Sequence, residues 1–204
     1  MKNKLLKLST AAVAVSFALA GCAGTSGTPA PGGMEHGSHS AKPTTGTGTG
    51  AAVEHNDADV MFAQMMIPHH AQAVEMSGMV LAKQDIPAPV TALATRIKAA
   101  QDPEIQTMTG WLKEWNEPVE SGHAGHSMEG MMDQAAMAEL ENAQGTEAAR
   151  LFLEQMIVHH EGALTMAEAE TADGKDPRAI ELSKEIVAAQ EAEIKEMRDL
   201  LGTL

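Results

Sequence analysis

The sequence lacks tyrosine and has only three phenylalanines and two tryptophans in 204 residues. It therefore has little aromatic surface on which bases or sugar rings could stack. It has one cysteine, Cys22, which excludes an internal disulfide and a Cys-rich zinc site. Basic residues are scarce: 14 Lys+Arg stand against 28 Asp+Glu, for a formal charge of −14. Phosphate binding needs a basic patch, so this balance argues against nucleic acid as a partner. Alternating β-branched stretches are missing too, so no strand is predicted. Against these shortages stand 15 Met and nine His.

Lys2, Lys4 and Lys7 precede an apolar core at 8–18 that is too short to span a membrane comfortably. It ends in Leu19-Ala20-Gly21-Cys22, which resembles the lipobox of bacterial lipoproteins, where the Cys is lipidated and becomes the mature N-terminus. A plain secretory signal followed by a core Cys is the alternative, but the sole Cys falls directly after small residues at the end of the apolar core. The expected organisation is a signal peptide at 1–21, a lipid-anchored flexible tether at 22–53 and a folded domain at 54–204. The expected location is extracytoplasmic, in the cell envelope or periplasm. Removing 1–21 takes away three Lys and no acid, leaving 28 acids against 11 bases, or −17. Residues 23–53 are rich in Gly, Pro, Thr and Ser, a tether with a reach of roughly 30 Å. Met34, His36 and His39 within it read as polar linker or as an auxiliary metal-catching tail.

An internal repeat organises the remainder. Met66-Ile67-Pro68-His69-His70 recurs as Met156-Ile157-Val158-His159-His160, a shift of 90 that also aligns Phe62 with Phe152, Ala73 with Ala163 and Met76 with Met166. At a shift of 89, Gln101, Glu104, Met108 and Leu112 align with Gln190, Glu193, Met197 and Leu201. The unit is two helices long, and two copies bury their apolar faces most simply as a four-helix bundle. The spacing predicts helices from Asn56 or Asp57 to about Lys83, from the Ile86–Pro89 turn to Trp115, from Gly145-Thr146 to Gly174, and onward from an Asp176 cap with Pro177 at the first position. A short extra helix is expected at 133–143, after a loop at 121–132. Pro68 and Pro103 lie inside helical patterns, so kinks are expected in the first hairpin only.

At 100° per residue, Phe62, Met66, His69, Ala73 and Met76 fall within an arc of about 80°, with His70 and Asp59 at its edge. The third helix repeats the arrangement with Phe152, Met156, His159, Ala163 and Met166, and His160 at the edge. The second helix carries Gln101, Glu104 and Met108 on one stripe, and the fourth carries Gln190, Glu193 and Met197. A Met at this spacing is usually core filler. A His on an apolar face is usually a hydrogen-bonded core residue, and Glu104 and Glu193 are suitable partners for one. The doubled set nevertheless points to ligation. Imidazole with thioether is a soft donor set that suits Cu(I), or Ag(I), better than Mg or Ca. The candidate ligands are His69, His70, Met65, Met66, Met76, Glu104, Met108, His159, His160, Met156, Met166, Glu193 and Met197. His123, His126, Met128, Met131 and Met132 in the loop are auxiliary candidates, and Cys22 is the lipidation site.

The stretches 66–76 and 156–166, with Gln101-Asp-Pro-Glu104, Met108, Gly130-Met131-Met132 and Gln190-Glu-Ala-Glu193, resemble the CopM-like family, also catalogued as domain of unknown function 305. The resemblance covers 56–202. It implies a ferritin-like four-helix bundle that is exported or periplasmic, binds copper and silver, and acts in copper resistance. The family commonly has an acid ten residues before the first His of the pair. Asp59 keeps it in the first repeat, whereas Ala149 stands there in the second.

The expectation is therefore an all-α, non-enzymatic, lipid-anchored protein. Its partners are the membrane, copper ions and a copper-transfer protein of unknown identity. It sequesters or hands on Cu(I) or Ag(I) in the envelope. A helical interaction or structural module without metal is the first alternative. A ferritin-like di-metal oxidase is the second, but that chemistry uses Glu-x-x-His on facing helices, which the predicted helices lack.

Overall fold

The computed structural model describes residues 54–120 and 128–204. They form α1 (Asp57–Leu81), α2 (Ala88–Trp115), α3 (Gln134–Asn142), α4 (Gly145–Asp173) and α5 (Pro177–Leu201), with no strand among them. The helices start and stop where local chemistry dictates. Asn56 caps α1 in a reciprocal box, its side chain accepting from the N–H groups of Ala58 and Asp59 while the Asn56 backbone N–H donates to the Asp59 carboxylate. Asp133 and Asp176 cap α3 and α5 through their side chains alone, accepting from the N–H groups of Ala136 and Arg178. Asn116 ends α2 in the left-handed region, at φ 61°, and its N–H reaches back to Leu112 and Lys113.

α1 packs along α2 and α4 along α5, and the two hairpins join chiefly through α1 against α4. This is the four-helix bundle expected from the duplication, with α3 lying across α1 and α4. Two apolar clusters fill it. One gathers Met76 and Val80 with Leu93, Phe152, Met156 and Met197; the other gathers Phe62 and Met66 with Met108, Trp111, Leu112 and Ile186. Each fully buried large side chain contributes about 1.5–3 kcal/mol, so the clusters hold the hairpins together.

Two details follow from these helices. α1 and α2 run as continuous helices through Pro68 and Pro103. Asp59 does not face the histidines: it is fully buried and accepts from the N–H groups of Asn56, Lys175 and Asp176 at 2.6, 3.0 and 2.8 Å. It ties the start of α1 to the α4–α5 turn, a bond that Ala149, with no polar side chain, cannot make. Among the described residues, no helix is long and apolar enough to cross a membrane.

Candidate metal centre

Midway along the bundle, between the two apolar clusters, lies a polar layer. α1 and α4 bring in His69, His70, His159 and His160, all essentially inaccessible to solvent. α2 and α5 add Gln101 and Gln190, also buried, with Glu104 and Glu193 at the rim. The duplication shows in the bonding. His70 Nε2 stands 2.7 Å from Glu104 Oε2, and His160 Nε2 stands 2.7 Å from Glu193 Oε2. A carboxylate can only accept, so in each pair Nε2–H donates. Both Nδ1 atoms are buried without a partner. Glu104 and Glu193 thus orient imidazoles from behind, an arrangement that also serves metal-bound histidines.

His69 and His159 differ from these two. Their rings meet across the α1–α4 seam with centroids 3.7 Å apart, and no ring nitrogen makes a well-aligned hydrogen bond, although the backbone of Glu129 lies beside His69 and that of His69 beside His159. Burial, followed by the neighbouring imidazoles, pushes His69 down to about 3, with the Glu129 backbone acting in the opposite direction. The same two causes push His159 down strongly, opposed by the backbone of His69. At neutral pH both rings are uncharged, with a free lone pair on each. Unpaired buried polar groups are costly, about 1–3 kcal/mol apiece, so these nitrogens set the layer apart from an ordinary core. Among the described residues, no three His, Cys, Asp or Glu side chains form a ready-made ion site. A bound ion would therefore need thioether or amide oxygen beside the imidazoles.

The methionines lie on either side of the layer. Met66 and Met108 belong to one apolar cluster, and Met76, Met156 and Met197 to the other. Met65 and Met166 line a cavity open to solvent. The described end of the α2–α3 connection, 128–132, seals the seam beside His69 and His159. Gln72 grips it through both amide atoms, donating to the Met132 carbonyl at 2.9 Å and accepting from the Met132 N–H at 2.8 Å. Its other support is Gly162, where a Cβ would collide with the Glu129 carbonyl. Gly130 sits at φ 81°, and a Cβ there would stand 2.9 Å from Gly162 Cα and from the carbonyl oxygens of Val158 and His159. Only glycine at both positions lets the two backbones touch.

The family model "Domain of unknown function (DUF305)" matches residues 59–201. The chain belongs to the DUF305 family. Among solved structures, this DUF305 chain is similar to a DUF305 protein from Streptomyces coelicolor, at 35% identity and TM-score 0.68, covering 72% of this chain and 93% of that one. A DUF305 fragment from Deinococcus radiodurans matches at 31% identity and TM-score 0.66, over 73% and 98% of the two chains. CopM in its Cu(I)-bound form matches at 33% identity and TM-score 0.61, over 71% and 96%. CopM structures with Cu(II) and with Ag match similarly. Among curated proteins, none matches.

Not every candidate in this DUF305 chain gathers at the layer. Met132 packs against an apolar cluster, and Met128 and Met131 are half-buried in the turn beside it. Cys22, Met34, His36, His39, His123 and His126 lie outside the described residues. Gln101 and Gln190 share the histidine layer, each with a buried carbonyl oxygen lacking a partner. Their place on the stripes with Glu104 and Glu193 was the signal that they belong to it.

Proposed function

We propose that this protein is an exported, lipid-anchored and non-enzymatic binder of Cu(I), with Ag(I) as an alternative cargo. In this reading it sequesters copper in the cell envelope and passes it to a transfer protein, conferring copper resistance. The observation that carries the reading is the buried layer, with six imidazole nitrogens lacking partners between two methionine-bearing clusters. Neutral imidazole with thioether is the donor chemistry of a soft monovalent ion. The similarity to CopM, solved with Cu(I), Cu(II) and Ag, supports the same reading. The expected envelope location finds support in the Streptomyces coelicolor relative, which is described as a secreted protein.

The alternative of a metal-free structural module fits His70 and His160, whose carboxylate partners account for one nitrogen each. It does not account for His69 and His159. The test loads unlipidated protein with Cu(I) under reducing conditions, and separately with Zn(II). Paired substitution His69→Ala/His70→Ala, and likewise His159→Ala/His160→Ala, is expected to lower Cu(I) capacity. Folded variants that bind as much Cu(I) as wild type would sink the reading. The anchor has its own test: Cys22→Ser should release the protein from the membrane fraction, and unchanged retention would refute the lipobox assignment.

A further inference from the structure

Position 61 breaks the usual rule for methionine. Met61 is 52% exposed, so it fills no core. It lines an open cavity of about 490 Å³ together with Phe62, Met65, Met166 and Ala169. Met61 and Met65 are one turn apart on α1, with Cβ atoms about 5–6 Å from each other. Met166 reaches the same cavity from α4. Thioether side chains with three rotatable bonds adapt easily to a common point. The rim adds exposed carboxylates at Asp57, Glu129 and Asp173, which raise the local concentration of any cation.

The cavity-lining faces of both helices also continue toward the histidines. Along α1, Met61, Met65 and His69 recur at intervals of four, on one face. Along α4, Met166, Gly162 and His159 run back toward the same seam. The backbone of Glu129 separates the two spaces: Glu129 lines the cavity, packs on Gly162 and acts on the His69 ring.

The duplication supplies an internal control. At the 90-residue shift, Met61 and Met65 correspond to Leu151 and Gln155. On that side the groove is covered by α3: Gln155 donates to the Ala136 carbonyl, and Leu151 packs against the cluster that contains Leu140. Exposed thioether is found on the open side.

We infer that Met61, Met65 and Met166 form a surface site for a soft monovalent cation, Cu(I) or Ag(I), and that this site is the entry to the buried histidine layer. The inference deepens the proposed function but stands on different residues. Carboxylates at the rim attract cations of any hardness, and the sulfur floor selects the soft ones.

The test uses the full chain in a Cys22→Ser background, so that no thiol competes, with methyl-labelled methionine and Ag(I) as the probe. Ag(I) should shift the Met61, Met65 and Met166 methyl signals in this protein and equally in a His69→Ala/His159→Ala variant, while Zn(II) leaves them in place. Met61→Leu/Met65→Leu/Met166→Leu, which keeps the cavity apolar, should fill the His69/His159 layer several-fold more slowly. Methyl signals unmoved at saturating Ag(I), or filling of the triple variant at the wild-type rate, would overturn the inference. Methyl shifts with no response at His69 and His159 would instead support the surface site and overturn the buried-layer reading.

Discussion

Replacing His69 and His159 together by leucine separates a site kept for binding from one kept for stability. In the metal-free protein the two rings hold four buried nitrogens without partners. At about 1–3 kcal/mol for each such group, the layer carries a ceiling of ~4–12 kcal/mol in unmet hydrogen bonding. Shape mismatch of leucine in an imidazole space returns about 1–1.5 kcal/mol of that. The expected net effect is a stabilisation of ~3 kcal/mol, or roughly 6–12 °C in Tm for a domain of this size. The gain should grow on acidification. The unfolded chain takes up protons on these histidines below pH 6.5, whereas folded His69 resists until about 3. Wild type therefore loses stability as pH falls through that window, and the leucine variant does not. The assay is denaturant unfolding of metal-free protein across this range, with and without Ag(I). Wild type should gain about 2.7 kcal/mol when free Ag(I) is a hundredfold above its Kd, and the variant much less. A metal-free variant less stable than wild type by ~2 kcal/mol or more would refute the reasoning, because the imidazoles would then be satisfied members of the core.

Glu170 is 1% exposed, and burial, with Asp59 and Asp176 nearby, raises its carboxyl from 4.5 to about 8. The folded state holds this proton while the unfolded chain releases it, so stability should fall as pH rises from about 4.5 to about 8 and then level off. Glu170→Gln should remove that slope and raise Tm at the alkaline end; an unchanged slope in pH-resolved thermal melts counts against it. Glu104→Ala and Glu193→Ala should each weaken Cu(I) binding about 10–100-fold while leaving the helical signal intact, because each frees an imidazole from its orienting carboxylate. Competition titration checks the affinity, and equal affinities would reduce the carboxylates to surface charges. Gly162→Ala should cost about 1–3 kcal/mol and expose the amides of 128–132 to hydrogen exchange, since the new methyl displaces Glu129. Unaltered exchange in that segment would show that the contact does not hold it down.

The helix ends were legible because each rests on a local signal: Asn56, Asp133 and Asp176 as caps, Pro177 at a first turn, Gly174 as a stop. The histidine layer was legible through periodicity and duplication, which place His69 and His159 on inward stripes without any knowledge of packing. What sequence could not supply was the division of labour within each His pair. His70 and Glu104 come from different helices, 34 positions apart, and only their docking shows that this imidazole is held from behind while His69 is left bare. The role of Asp59 was hidden for the same reason: besides the Asn56 N–H, its partners are backbone N–H groups 116 and 117 residues away, at a turn whose geometry no local pattern encodes.

The connection between the hairpins explains why the two repeats diverge. Two identical hairpins would leave two equivalent grooves along the α1–α4 seam, but among the described residues the crossing from α2 to α4 covers only one. Its last segment bends over the seam at Glu129–Gly130, so the repeats must differ where it passes. Position 72 is glutamine, gripping the Met132 backbone, and its counterpart 162 is glycine, yielding to the Glu129 backbone. Further along, Gln155 bonds to the end of the crossing that becomes α3, while its counterpart Met65 faces the uncovered groove. These differences between the repeats thus follow the described part of the crossing chain, and the histidines beside it are the same in both. In the proposed reading, a soft ion would be held between equivalent histidines and reach them from the side that the described residues leave open.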